Sequence, residues 1–171
     1  MLPHQAVEAL GQQDGLDPLA ERGQQVVNDA FAGAGPAGQA VKDALHGTWL
    51  GHSLHPALTD IPIGAWTVAL VFDVAESMGG RRDLGPGADA AVTVGLVGAL
   101  GAAATGRADW SATDGSARRV GLVHGLLNLG VTGLYLASLR RRGRGDRRGG
   151  LWRWRWPATP RRWSRPTWAA T

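Results

Sequence analysis

The chain has 171 residues, no cysteine and a formal net charge of +4, with 18 Lys and Arg against 14 Asp and Glu. The missing cysteines exclude disulfides, zinc–thiolate sites and any iron–sulfur cluster held within this chain by thiolates. Residues 140–171 hold 11 arginines and one acid, whereas residues 1–139 hold 7 basic and 13 acidic residues. The basic character is a property of the tail, so no nucleic-acid partner is expected of the folded part.

Residues 1–45 read as a polar, mostly helical arm. Asp17-Pro18 suits a helix opening, with proline in the first turn. Leu19, Val26, Val27, Ala30 and Phe31 follow at roughly helical spacing. Gly33, Gly35, Pro36 and Gly38 interrupt it, and a short amphipathic segment from Val41 to Leu45 leads onward. The start lacks a basic stretch followed by an apolar one, so no cleavable signal peptide is expected.

Three apolar runs come next. The first, Ile61 to Gly80, is uncharged only as far as Phe72, which puts Asp73 and Glu76 near an interface or against protein. The second, Ala90 to Gly106, is rich in Gly and Ala at spacings that let helices approach closely in lipid. The third, Val120 to Leu139, decides the class. It holds 20 residues without a formal charge, and such a helix rises about 30 Å, the thickness of a bilayer's hydrocarbon core. Arg140, Arg141 and Arg142 close it where cations reach lipid headgroups. The linkers Arg81–Gly87 and Arg107–Arg119 are short enough for antiparallel neighbours. The expected fold is all-α: an integral membrane antiparallel helix bundle with three spanning helices, carrying a helical polar arm at its amino end. A soluble helical bundle is the alternative, which the length and uniformity of the third run disfavour.

Threading three antiparallel helices puts His52, His55, Asp60, Asp109, Trp110, Asp114 and His124 on one side of the membrane. His124, Asn128, Thr132 and Tyr135 recur at three- and four-residue steps as a polar stripe. Ionisable groups inside a membrane are costly, so they are functional candidates. The sharper expectation is a cofactor site using His52, His55, His124 and Asn128, or a metal site of His52, His55 and His124 with Asp60 or Asp109 orienting the imidazoles. The plainer one is structural: His124 and Asn128 bond between helices, and His55 caps the first helix. Trp49, Trp66 and Trp110 are read as interface anchors, and His4 and His46 as solvated. On the opposite side, Asp73, Glu76, Arg81, Arg82 and Asp89 read as solvated interface pairs. The basic residues near the helix ends favour an orientation with the amino terminus outside.

The stretch from Leu45 to Glu76 contains Gly51-His52-x-Leu54-His55-Pro56 and then Asp60-Ile61-Pro62-Ile63-Gly64. Thr105-Gly106 and Asp109-Trp110 follow the second run, and Val123-His124-Gly125-Leu126-x-Asn128 lies in the third. Together these motifs resemble a bacterial membrane family, the domain of unknown function 2231, with the transmembrane domain at 46–139. The resemblance implies a multi-pass cell-membrane protein of four helices. Some members are fused to, or encoded beside, Rieske-type iron–sulfur domains. It therefore implies a subunit linked to haem, a metal or quinone, acting with a Rieske-type electron-transfer partner.

This chain departs from the family pattern after Leu139, where the fourth helix is absent. Residues 140–171 read instead as a disordered Arg/Trp-rich tail, with five of the eight tryptophans between 152 and 168. In a G+C-rich gene, Leu151 to Trp156 read one base out of phase decodes as Val-Ala-Leu-Ala-Leu. A frameshift near residues 143–151 is the expected origin of the tail. No Gly-x-Ser-x-Gly elbow, phosphate-binding Gly-rich loop with lysine or His-Glu-x-x-His helix is present, so catalytic activity of the chain's own is not expected. Two further functions stay open: a membrane anchor or scaffold without chemistry, and a proton or solute pathway that would need a homo-oligomer.

Overall fold

The computed structural model describes residues 3–79 and 84–143. Most of the Arg/Trp-rich tail, and the frameshift expected there, lies outside them. Most of the described residues are helical, and none of them forms a strand. Three helices build the arm: α1 (Pro3–Gly11), α2 (Asp17–Gly33) and α3 (Gly35–His46). Three longer ones follow: α4 (His55–Gly79), α5 (Gly85–Trp110) and α6 (Gly115–Gly143). Each of these is long and apolar enough to cross a membrane.

α2 opens at Asp17 with Pro18 in its first turn, as the sequence predicts. α3 is longer than the expected Val41–Leu45 segment, because Pro36 begins it instead of interrupting it. Proline at a first turn has no amide to lose. α4 starts six residues before the predicted run. His55, Thr59 and Asp60 hide its first turns from a hydropathy reading, and Pro62 sits inside the helix. α5 and α6 likewise extend past their apolar runs, leaving only residues 111–114 between them where the sequence suggested the wider Arg107–Arg119 linker.

α4 and α5 form the tightest pair, for a steric reason. The buried face of α5 carries Ala88, Val92, Gly95, Gly98, Ala102, Thr105 and Ala108 at three- and four-residue steps. Against these small residues α4 sets large ones: a Cβ on Gly87 would lie 2.9 Å from Phe72, on Gly98 2.6 Å from Ile61, and on Gly106 2.7 Å from His55. Gly95 faces Trp66 more closely still. Bulky side chains on one helix thus fill a groove of bare backbone on the other, and dispersion holds the pair where water is absent.

The arm docks onto the end of the bundle where α5 turns into α6. The Gln24 side chain donates to the carbonyls of Trp110 and Thr113 at 2.7 and 2.8 Å, and Asn28 donates to Ser111 O at 3.3 Å. Trp110 lies against Gly23 of α2 and Gly121 of α6, with its indole N–H donating to Arg118 O at 2.8 Å. It is a packed joint between arm and bundle rather than the lipid-interface anchor expected of it. Arg118 and Arg119 lock the contact electrostatically. Arg119 pairs with Asp17 and Asp14, and Arg118 with Asp17 and Glu21.

Candidate functional site

α4 and α6 run parallel with α5 between them, so His55 and His124 arrive at the same end of the bundle. Their rings meet edge to face, with centroids 6.2 Å apart and planes at 89°. His55 Nδ1 lies 2.8 Å from Ala102 O on α5. A carbonyl oxygen only accepts, so Nδ1 is the donor, and in the neutral tautomer that this selects the lone pair sits on Nε2. Gly106 makes room for that ring. His124 is exposed, and the Asn128 amide steadies it one turn below, donating to His124 O at 2.8 Å and approaching its Nε2 at 3.2 Å.

The other expected ligands lie elsewhere. His52 is exposed and turns back on its neighbour, with Nδ1 3.0 Å from Ser53 O. Asp60 is exposed on the first turns of α4. Asp109 orients a histidine, but not one of the expected three: its Oδ1 accepts from His46 Nδ1 at 2.8 Å, and its Oδ2 from the Ser53 hydroxyl. His46, read from sequence as solvated, is mostly buried, with 23% of its side chain exposed. The signal for it is local. His46 ends α3 immediately before Gly47, whose φ of 77° is the left-handed cap that stops a helix. That cap turns the following chain back, so that His52 and Leu54 pack on Gly47 and Ser53 reaches the same carboxylate as His46.

Among the described residues, no three His, Cys, Asp or Glu side chains gather to hold a metal ion. The Ser53–Asp109–His46 chain is also not a nucleophile triad. The carboxylate stands in the middle and accepts from both neighbours, so the imidazole has no path to the serine proton.

At the opposite end, Arg142 of α6 bonds Asp73 of α4, with Nη1 2.8 Å from Oδ1, and reaches Asp89 of α5 at 3.4 Å. Asp73 and Asp89 therefore form an inter-helix ion cluster, through an arginine that the sequence reading assigned to lipid headgroups. Midway between the two ends, Trp66 stacks on Tyr135 with centroids 4.1 Å apart and planes 9° apart. Trp66 is half-buried and packs between helices at mid-height, contrary to its reading as an interface anchor.

The family model described as Predicted membrane protein (DUF2231) matches residues 51–158. The chain belongs to this family. No curated protein and no solved structure matches it. The DUF2231 match takes in His55, His124, Asn128, Asp109 and the Asp73–Arg142 cluster, while the arm with His46 lies before it. The match also runs 19 residues past Leu139, into the Arg/Trp-rich tail.

Proposed function

We propose that this chain is a small integral membrane subunit linked to electron transfer, in which the His55–His124 pair docks the head group of a lipid-borne quinone. The observation that carries the reading is the pair itself: two imidazoles from two spanning helices, one with its tautomer fixed and Nε2 bare, the other exposed at the bundle surface. The donor set discriminates between the groups considered from sequence. A metal ion needs more ligating side chains than the two that meet here. A haem held between two imidazoles needs a slot between the rings, and these rings touch edge to face. A quinone needs a few directed hydrogen bonds at a lipid-accessible edge, and His55 Nε2 with the His124 ring offers an acceptor and a donor. A bound quinone supplies two-electron redox chemistry. The chain contributes orientation and a place for the proton, since the bare His55 Nε2 accepts one from a hydroquinone hydroxyl. A Rieske-type protein is the proposed partner. The basic residues flanking α6 support an orientation with the arm and the histidine pair on the outer face.

The test is saturable binding. Protein in lipid nanodiscs titrated with a short-chain quinone should show saturable fluorescence quenching, weakened about tenfold by His124→Ala. Unsaturable, mutation-insensitive quenching overturns the reading. A haem spectrum or stoichiometric metal in the purified protein would replace quinone with that group.

A second reading, an anchor or scaffold without chemistry, draws on the His46–Asp109–Ser53 and Asp73–Arg142–Asp89 clusters, which spend polar side chains on joining helices. It expects His55 and His124 to tolerate replacement.

A further inference from the structure

The polar stripe of α6 poses a problem that the histidine pair does not solve. Asn128 lies inside the apolar run from Val120 to Leu139, eight residues from the nearer end, which is about 12 Å of helix. It is exposed, and its neighbours Leu126, Leu127 and Leu129 are exposed apolar side chains that face lipid. One amide hydrogen is used on His124 O, which leaves Nδ2 a second hydrogen to give to a partner. No donor among the described residues meets Oδ1. Hydrocarbon offers no water to satisfy it, so an amide at that depth draws in another helix.

We infer that α6 is the contact helix of a parallel homodimer, in which Asn128 of one copy pairs with Asn128 of a second. Topology argues for self-association over any other occupant. Copies of one chain insert the same way round, so a given residue lies at the same depth in each. A two-fold axis along the membrane normal then brings each unsatisfied amide to its own counterpart. A different protein would need a polar group of its own at that height. The rest of this chain offers no substitute, because residues 144–171 contain eight arginines and no uncharged run long enough to lie along α6. Sterics agree. A Cβ built on Gly125, three residues before Asn128, meets nothing within 4 Å, so a second backbone has room to approach there. α6 is also the spanning helix whose apolar window is least buried, at 0%. The inference does not require that quinone binds.

The chain's lack of cysteine makes the test direct. Asn128→Cys and, as a second variant one turn deeper, Thr132→Cys are oxidised with copper phenanthroline in intact membranes. Leu70→Cys and Val97→Cys, on the exposed faces of α4 and α5, serve as controls. The expected result is a disulfide dimer at 128 or 132 and none at the controls. Single-molecule photobleaching of the otherwise unaltered chain in dilute liposomes should give two steps, with the two-step fraction falling when Asn128→Leu weakens association about tenfold. One-step bleaching, equal crosslinking at all four positions, or crosslinking of 128 and 132 only to a different protein overturns the dimer.

Discussion

Asp73 meets Arg142 at a chain separation of 69 residues, the separation at which Trp66 stacks on Tyr135 and His55 meets His124. The three pairs are tiers of one register. From the histidines to the aromatic stack is about three turns on each helix, and from the histidines to the ion cluster about five. Whole numbers of turns return to the same face. Two parallel helices that both crest α5 can therefore meet three times over a height of about 27 Å, close to the bilayer's hydrocarbon thickness. The tiers place the polar contacts near the two edges and the aromatic one inside.

The far tier has a measurable weight. Arg142→Ala removes the cation from Asp73, whose side chain is 37% exposed, while the arginine itself is 19% exposed. That is intermediate between a surface pair, worth up to about 1 kcal/mol, and a buried one whose disruption costs about 3–5 kcal/mol. The expected loss is about 2 kcal/mol in a reversible unfolding titration in mixed micelles. Adding Asp73→Asn to Arg142→Gln should recover part of it, since the charge left behind is what destabilises. If both variants unfold as the parent does, the cluster is ornamental.

Hydropathy makes the three spanning helices legible, because a run as long and as uniformly apolar as Val120–Leu139 is seldom anything but a membrane span. The motif spacing makes His55 and His124 legible as one end of the bundle. What stays hidden is partner choice. Asp109 binds His46 and Ser53 rather than His52, because the chain doubles back at Gly47 and brings Ser53 to the carboxylate that the end of α3 already meets. Hydropathy along the chain carries no record of that turn. Arg142 is hidden for a related reason: its value as an inter-helix cation depends on a register that appears only once α4 and α6 are set side by side.

Gly95 is the tightest point of the α4–α5 groove, since a Cβ there collides with the Trp66 indole. Gly95→Ala is expected to destabilise by about 1–3 kcal/mol through overpacking and to disturb the stack on Tyr135, which contributes about 0.5–1.5 kcal/mol. Intrinsic fluorescence should report the displaced indole. Combining Gly95→Ala with Trp66→Leu relieves the collision, so the double variant should lose less than the two single losses together. Additivity of the two would separate Gly95 from Trp66.

The arm is held by an acid-sensitive contact. Hydrogen bonds from Arg119 and then Arg118 hold the pKa of the Asp17 carboxyl at about 2, below the ordinary carboxylate range. A folded-state value below the unfolded one means that docking is stabilised fully above about pH 4. That contribution is lost as protonation proceeds toward about pH 2. Pepsin, active throughout that window, should cut within residues 12–34 faster as the acidity rises across it, while α4–α6 stay protected. Asp17→Asn should cut readily at both ends of the window. A parent chain whose arm is cleaved at the same rate across it would show that Asp17 does not hold the arm.

Asp109 bears on how the arm meets the histidine end. One carboxylate accepts from both His46 on α3 and Ser53 before α4, and the Ser53 hydroxyl in turn lies 3.3 Å from the His55 amide. Removing the shared acceptor therefore acts in two directions. Asp109→Ala should leave two donors without partners, at about 1–3 kcal/mol for each that stays buried, and loosen both α3 and the first turn of α4. Amide exchange over residues 35–46 should accelerate, and exchange at His55 should accelerate with it. Asp109→Asn keeps one acceptor oxygen for two donors and should restore one segment while sparing the other less. His46→Ala, by contrast, should speed exchange in α3 alone. Should His46→Ala release His55 as strongly as Asp109→Ala does, the coupling runs through the packing of α3 and not through the carboxylate.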